Sequence, residues 1–382
     1  MIRFEHIYQQ YKQHIVLSDI SFTINPGELV VLVGPSGCGK TTTLKMINTL
    51  IKPTKGTVYI NEENIAEKDP IELRRNIGYV IQQTGLFPHL TARENIEIIP
   101  RLERRNKEEI VQRTIELMEM IGMDGEDYLD RYPVQLSGGQ QQRIGVARAF
   151  SCDPDIILMD EPFSALDPIT RNQLQDELIE LQAKLHKTIV FVTHDMDEAV
   201  KIADRICIMN NGKIAQYDTP ENILKHPADE FVDGFVGRNK IWTIPELIRA
   251  EDIMIENVIR TTPNLSVEKS IERMRRNRVD SIVVTDEKYT ILGMATAAHL
   301  WSAGNLAQPI EAVMQSAGVI FHPQDSILDI LHHIVKHNIP YVLIADEQHR
   351  LKGMISRSNL VTVLSQPFVL ESEINETQRE EN

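Results

Sequence analysis

An apolar run, Leu29 to Val33, leads directly into Gly34-Pro35-Ser36-Gly37-Cys38-Gly39-Lys40-Thr41-Thr42, and this junction restricts the fold more than any other stretch of the chain. The string satisfies G-x-x-x-x-G-K-[ST] between a strand and a helix, the pattern of a loop that holds a nucleoside triphosphate. The residue types follow from the chemistry. A β- and γ-phosphate pair is best held by a ring of backbone N–H groups, and only glycines let the backbone come that close. Lys40 adds a mobile positive charge, Thr41 offers a hydroxyl to Mg²⁺, and the helix beginning near Gly39 turns its positive dipole end toward the phosphates. The expected fold class is α/β.

Many nucleotide-hydrolysing proteins share such a loop, so the rest of the chain must say which kind this is. Leu136-Ser137-Gly138-Gly139-Gln140-Gln141-Gln142-Arg143 opens a helix, with Ser137 and Gln140 spaced as a capping box. Two glycines just inside a helix weaken it by about 1 kcal/mol each relative to alanine, which implies that something approaches the backbone there. An anion at the helix N-terminus is the natural candidate. Asp155 to Asp160 reads as a buried strand ending in a carboxylate, and Glu161 follows it with a second one. Thr188 to Thr193 reads as another buried strand, and it presents His194. Gly56–Ile60 and Ile77–Ile81 are strand-like, and the second delivers Gln82 at its end. Residues 1 to 28 read as short strands with turns, residues 107 to 121 place Ile110, Thr114, Leu117, Met118 and Ile121 on one helical face, and Asn211-Gly212 marks a hairpin.

Gly34–Thr42, Gln82, Leu136–Arg143, Ile156–Glu161, Ser164-Ala165-Leu166-Asp167 and His194 occur in that order, and together they resemble the ATP-binding cassette (ABC) ATPases. The resemblance covers roughly residues 1 to 236 and implies a P-loop ATPase domain with a helical subdomain. In that family two cassettes sandwich two ATP molecules, the P-loop of one facing Leu136, Ser137, Gly138, Gly139 and Gln140 of the other. It further implies that Tyr11, with Tyr8 as the alternative, stacks on adenine, and that Gln82, selected over Gln83 by its alignment with Gly78 and Phe87-Pro88-His89-Leu90, touches Mg²⁺ and the attacking water. Asp160 should join Thr41 in the Mg²⁺ shell, whereas Glu161, one residue beyond the strand, can polarise water against the γ-phosphate. Ser164–Asp167 is the loop that crosses the dimer interface, and His194 matches the γ-phosphate switch. The segment Gly85 to Asn95 faces the membrane partner in importers of the family.

Composition narrows the partners. Among 382 residues the net charge is −15, which disfavours nucleic acid, because phosphate backbones are bound through clustered Lys and Arg. Cys38, Cys152 and Cys207 have no metal-ligand spacing and suit a reducing compartment. Oxidation of Cys38, inside the loop, could block ATP, but a tolerated variable position is the preferred reading. No stretch approaches the roughly 20 apolar residues that span a bilayer, and the start has no signal-peptide core. A cytoplasmic protein is expected, placed on the inner face of the membrane by other chains if it transports anything.

After a break at 237–247, read as a linker, an internal repeat appears at an offset of sixty residues without a gap: Met254 matches Met314, Ser266 Ser326, Asp286 Asp346, Gly293-Met294 Gly353-Met354, and Leu300 Leu360. The two units, 248–304 and 308–365, each read helix, strand, helix, strand, strand, helix, and resemble a tandem of cystathionine β-synthase (CBS) domains. Such modules usually bind adenine nucleotides, with an Asp on the ribose. Here Thr296-Ala297-Ala298-His299 and Ser356-Arg357-Ser358-Asn359 both lack it. Residues 366–382 form an acidic tail too polar to order itself.

A cassette fused to a CBS tandem resembles the ATP-binding subunits of the importers for glycine betaine, carnitine and choline. That resemblance implies a homodimer beneath transmembrane permease subunits, served indirectly by a substrate-binding protein. ATP and Mg²⁺ are the implied cofactors. A two-fold axis through the second CBS copies, with the resemblance, implies cyclic di-AMP as regulator, ATP or AMP being the alternative. Val279, Ser281, Tyr341, Ile355 and Arg357 are expected to line that site. The competing readings are an ABC ATPase acting on DNA or ribosomes, and an importer ATPase for another small solute. Repair ATPases of the family carry long coiled-coil insertions and ribosomal ones two cassettes, neither of which this sequence has.

Overall fold

The structure is a computed structural model that describes residues 1–82, 85–123, 125–164, 166–237, 240–363 and 365. The chain divides into two compact units, Met1–Arg238 and Asn239–Asn382. The expected tail 366–382, together with Gln83, Ala165 and Leu364, lies outside the described residues.

The first unit begins with β1 (Ile2–Tyr11) and β2 (His14–Ile24), a long antiparallel hairpin where short strands were expected. Lys12 supplies the turn with φ +55°, and register shifts along the pair let the ladder bend without ending it. Next come β3 (Leu29–Val33), β4 (Lys55–Ile60), β5 (Glu63–Asn64) and β6 (Ile77–Val80), the last stopping one residue short of its expected end. They are followed by β7 (Ile156–Asp160), β8 (Thr188–Val192), β9 (Arg205–Asn210) and β10 (Lys213–Asp218). One sheet has the order β2-β1-β4-β5, and a six-stranded sheet runs β10-β9-β3-β8-β7-β6. In the latter every pairing from β9 to β6 is parallel. That is why β3, β7 and β8 are buried at all five positions and read as unbroken apolar runs: a central parallel strand is covered on both faces. The hairpin between β9 and β10 turns at Asn211 (φ +45°) and Gly212 (φ +75°), both in the left-handed region that an Asn-Gly turn requires. Helices Ala92–Leu102, Lys107–Met120 and Gly138–Ala149 pack on one another between β6 and β7, and Ile110, Thr114, Leu117 and Met118 are buried as their spacing predicts.

The second unit holds β11 (Arg260–Thr261), β12 (Ser281–Thr285) and β13 (Ile291–Thr296), then β14 (Ile320–Phe321), β15 (Tyr341–Ala345) and β16 (Leu351–Ser356). They form two sheets of one design, β11-β12-β13 and β14-β15-β16, parallel at the first pairing and antiparallel at the second. Isolated bridges join the repeats reciprocally. Ile255 bridges Met354 while Gln315, sixty residues after Ile255, bridges Met294, sixty before Met354; Arg249–Ser326 and Pro309–Ser266 are related in the same way.

The repeats are not self-contained along the chain. Ile248, Ala250 and Ile253, which lead into the first repeat, are buried in the core of the second with Ile327, Ile330 and Val342. Ile310, which leads into the second, is buried in the core of the first. Much of the expected linker also takes part: Lys240–Thr243 and Pro245–Leu247 form 3-10 turns, and Ile241 packs on the second core.

Gly293 and Gly353 occupy equivalent positions but face different neighbours. A Cβ on Gly293 would lie 2.6 Å from the Gln315 carbonyl oxygen, whereas one on Gly353 would meet the Met254 side chain, with Sδ at 2.8 Å. Backbone cannot yield and a thioether can in part, so Gly293→Ala should cost about 2 kcal/mol and Gly353→Ala less. Urea denaturation of the two variants checks the order.

Candidate active site

Four parallel strands end at the same edge, and the loops that follow them carry the candidate residues. In the phosphate loop, Gly34, Gly37 and Gly39 have φ of +150°, +80° and +106°. A Cβ on Gly34 would lie 2.2 Å from the Met209 carbonyl oxygen, and one on Gly39 2.4 Å from Leu17 Cδ2. The loop is thus held between β9 and β2, a pairing that no local motif announced. Contact of Leu17 with Gly39 also lays the β1–β2 hairpin, which carries the half-exposed Tyr11, against the loop. Helix Lys40–Ile47 has no side-chain cap at Gly39, so its first-turn N–H groups are available to an anion. Lys40 is buried and donates from Nζ to the carbonyls of Gly34 (2.7 Å) and Pro35 (3.0 Å).

Thr41 Oγ1 donates to Asp160 Oδ1 at 2.8 Å, and Asp160 is buried at the end of β7. A hydroxyl and a carboxylate are hard oxygen donors, a pair that suits Mg²⁺, which takes one or two protein oxygens and keeps the rest of its shell for phosphate and water. The Tyr79 hydroxyl is pushed up to about 12, by burial first and then by the Asp160 charge. Glu161 follows with φ +45°, an uncommon conformation for a non-glycine residue, and its N–H donates to the Val192 carbonyl at 3.0 Å. Its Oε2 is shared: Gln82 Nε2 donates to it at 3.1 Å, and His194 Nδ1 lies 3.4 Å away. Thus Lys40, Thr41, Gln82, Asp160, Glu161 and His194 gather along one sheet edge.

Ser137 and Gln140 form both arms of a capping box. Nothing lies within 4 Å of a Cβ on Gly138, while one on Gly139 would meet Thr170 Cγ2 at 2.9 Å. Asp167 caps helix Pro168–Leu185 on the N–H groups of Ile169 and Thr170, both at 3.1 Å, and its carboxyl is held below the usual range by the Thr170 side chain first and then by these N–H groups. No hydrogen bond or ion pair among the described residues joins Leu136–Gln140 to the phosphate loop.

A residue passed over by the sequence reading organises the Gly85–Asn95 segment. Asn95 is fully buried; its Oδ1 accepts from Phe87 N–H at 2.8 Å and its Nδ2 donates to the carbonyls of Phe87, Leu90 and Thr91. A polar residue on the inner side of an amphipathic helix was the available signal. The segment forms one wall of an open cavity of about 440 Å³, with Tyr79, Ile98, Leu102 and Arg148 on the others.

In the second unit a cavity of about 650 Å³ is lined by Val279, Ser281, Tyr341 and Arg357 together with Met354 and Ser356. Ile355, expected among them, is fully buried in the second core instead. Strand alternation is the reason: Ile355 pairs with Val342 on the core face, and its neighbours Met354 and Ser356 take the cavity face. Arg357 Nη2 donates to Asn338 Oδ1 at 2.7 Å. His299 and Asn359, at the positions of the missing ribose Asp, are engaged locally, His299 with Thr296 and Gln315 and Asn359 with Ser356.

This sheet edge, the capped glycine-rich start of helix Gly138–Ala149 and the repeat define a transport ATPase of the ABC class. Residues 17–164 match the family described as ABC transporter, and 250–300 and 310–366 match the CBS domain. The carnitine transport ATP-binding protein OpuCA of Listeria monocytogenes is 44% identical over 367 residues, covering 95% of this chain and 92% of its own. The glycine betaine/carnitine/choline transport ATP-binding protein OpuCA of Bacillus subtilis is 45% identical over 366 residues, covering 95% and 96%. The osmoprotectant import ATP-binding protein OsmV of Salmonella typhimurium is 39% identical over 371 residues, covering 96% of each. Among solved structures, a dimeric ATP-binding cassette in a post-hydrolysis state bound to ADP and Pi matches with TM-score 0.53 and 37% identity, over 58% of this chain and 99% of that one. The chain belongs to the family of ATP-binding proteins that energise osmoprotectant ABC importers.

Cys38 is 4% exposed and burial raises its thiol pKa; Cys207 is fully buried with its pKa raised by the same cause. Only thiolates react readily, so neither should be labelled in the folded protein. A chromogenic disulfide reagent at pH 7.5 should titrate Cys152 alone, slowly, and all three thiols after unfolding.

Proposed function

We propose that the first unit is the ATP-hydrolysing engine of an importer for a quaternary amine such as glycine betaine, carnitine or choline. It works as a homodimer beneath two permease chains on the inner face of the membrane, with a substrate-binding protein delivering cargo. The observation that carries the hydrolytic reading is the shared Glu161 Oε2, flanked by Gln82 and His194 one residue past the Thr41–Asp160 pair. Mg²⁺ bound at Thr41 and Asp160 would neutralise phosphate charge. Glu161 orients and polarises the attacking water and takes up its proton, Gln82 holds that carboxylate in place, and His194 donates to the γ-phosphate. Lys40 moves its contacts from the loop carbonyls to the phosphates. Tyr11 stacks on adenine, and Ser137, Gly138 and Gln140 close on the γ-phosphate in the opposite cassette, where the open space beside Gly138 supports close backbone approach. The cavity walled by the Asn95-held segment suits a short helix of the permease, since Phe87, Ile81 and Leu102 present apolar surface there.

Glu161→Gln should lower steady-state phosphate release at least about 100-fold while ATP affinity stays within a few-fold. The same change should abolish osmotically induced uptake of the amine in cells that depend on this importer. Hydrolysis at the wild-type rate contradicts the engine; intact hydrolysis in the wild type with no uptake of any quaternary amine redirects the cargo to another small solute.

The second unit is proposed to hold cyclic di-AMP. Its cavity takes equivalent residues from both repeats, Ser281 and Tyr341, with Arg357 at the rim to pair with phosphate. Calorimetry on the full-length chain saturated with a non-hydrolysable ATP analogue should give micromolar binding of cyclic di-AMP, weakened about tenfold or more by Arg357→Ala. Equal binding by the variant refutes the site.

A further inference from the structure

The two loops assigned to the hydrolysis site lead straight into a packed helix pair. Helix Pro168–Leu185 starts at the residue after Asp167, and helix Met196–Ile202 starts two residues after His194. Arg171 lies in the seam between them. Its Nη2 donates to the Leu166 carbonyl at 3.1 Å, and its Nη1 lies 3.8 Å from Asp195 Oδ2. Asp195 divides its carboxylate: Oδ1 caps its own helix on the N–H groups of Asp197 (2.8 Å) and Glu198 (3.4 Å), and Oδ2 faces the arginine. Nothing in the helix itself favours a cation one turn from its N-terminus, where the dipole is positive. The Nε–H of Arg171 is moreover buried without a hydrogen-bond partner, a cost that the two Nη contacts must offset.

The contacts close into a ring. Ser164 Oγ donates to the Glu161 carbonyl at 3.0 Å; the same loop, two residues on, offers the Leu166 carbonyl to Arg171; Arg171 faces Asp195; and His194, the neighbour of Asp195, returns to Glu161 Oε2 at 3.4 Å. Two further links, Gln175 Nε2 to Glu198 Oε1 at 3.1 Å and Lys201 Nζ to Asp176 Oδ1 at 2.8 Å, hold the helices together independently of Arg171. The arginine is therefore not the sole tie across the seam; its hydrogen bond and ion pair reach the two loops, and its charge is also felt by the buried Glu198.

We propose that Arg171 is a positioning residue that ties the Ser164–Asp167 loop to the His194 loop, so that docking of the first against a second cassette sets the imidazole at Glu161. Arg171 acts through the Leu166 carbonyl and the Asp195 carboxylate. The inference rests on the assignment of Glu161 and His194 to hydrolysis.

The test uses the full-length chain, with steady-state hydrolysis, ATP affinity and melting temperature measured on each variant. Arg171→Ala should lower kcat about tenfold with ATP affinity within about twofold of wild type and the melting temperature nearly unchanged, the signature of lost alignment. Asp195→Asn keeps the helix cap, since asparagine caps as well as aspartate, but removes the charge facing Arg171, and should lower kcat similarly. The double variant should be no slower than the slower single one, because both changes break one link. His194→Ala is the control for the underlying assignment: wild-type hydrolysis by that variant overturns both readings. If His194→Ala is inactive while Arg171→Ala keeps kcat within about twofold of wild type, or the two losses add, the site stands and the role of Arg171 is overturned. Should Arg171→Ala fail to fold, Asp195→Asn decides alone, an unchanged kcat overturning the proposal and a fall of about tenfold at unchanged affinity supporting it.

Discussion

The candidate site depends on one register. Val192, the last residue of β8, pairs with Leu32 on one side and with Asp160 on the other, so three strands leave the sheet at the same level. Backbone bonds extend the alignment past the strand ends: Glu161 N–H reaches the Val192 carbonyl at 3.0 Å, and Thr193 N–H the Leu32 carbonyl at 3.1 Å. A slip of one residue in any of these pairings would turn the side chains of that strand to the opposite face and separate Thr41 from Asp160. Complete burial of β3, β7 and β8 prevents such slips, because every alternative register would move apolar side chains out of their places on both faces.

The same edge explains the unusual backbone of Glu161. A residue continuing β7 in extended conformation would carry its carboxylate along the strand direction; at φ +45° the chain turns, and Oε2 comes to Gln82 and His194 from two other strands. Such a conformation costs of order 1 kcal/mol in a non-glycine residue. The hydrogen bonds of its N–H to Val192 and of its carbonyl to Ser164 hold it there.

Much of this arrangement was legible in the sequence because its signals are local. The phosphate loop, the Ser137–Gln140 capping box and the Asn211-Gly212 turn each lie within a few residues, and the structure forms all three. The internal repeat was visible for a related reason: an offset of sixty residues without a gap survives as a one-dimensional pattern. What escaped was set by distant partners. Met209 and Leu17 confine Gly34 and Gly39 from strands far along the chain, and no spacing rule points to either. The exchange of Ile248, Ala250 and Ile253 into the second repeat is likewise a contact across some eighty residues or more. Ile355 is a different case. Its placement at the cavity followed from resemblance, yet the period of two along β16 already set it opposite Met354 and Ser356. Strand alternation was the stronger rule.

The exchange of leading segments restricts how the second unit can respond to a ligand. Two isoleucines at the start of the first repeat, Ile248 and Ile253, are buried in the core of the second, and burying such a side chain is worth about 1.5–3 kcal/mol. Ile310 makes the reciprocal contact, and the paired bridges Ile255–Met354 and Met294–Gln315 add backbone bonds to both. Separating the repeats would therefore expose apolar surface on both sides and break backbone pairs at the same time. A ligand between Ser281 and Tyr341 is opposed by several kilocalories per mole if it opens the cleft, but meets little resistance if it shifts the repeats by a fraction of a side chain. Packed interfaces of this kind move between discrete arrangements by small sliding steps. A ligand that regulated through this unit, as proposed above, would then work by a small change in the angle between two repeats that stay locked together.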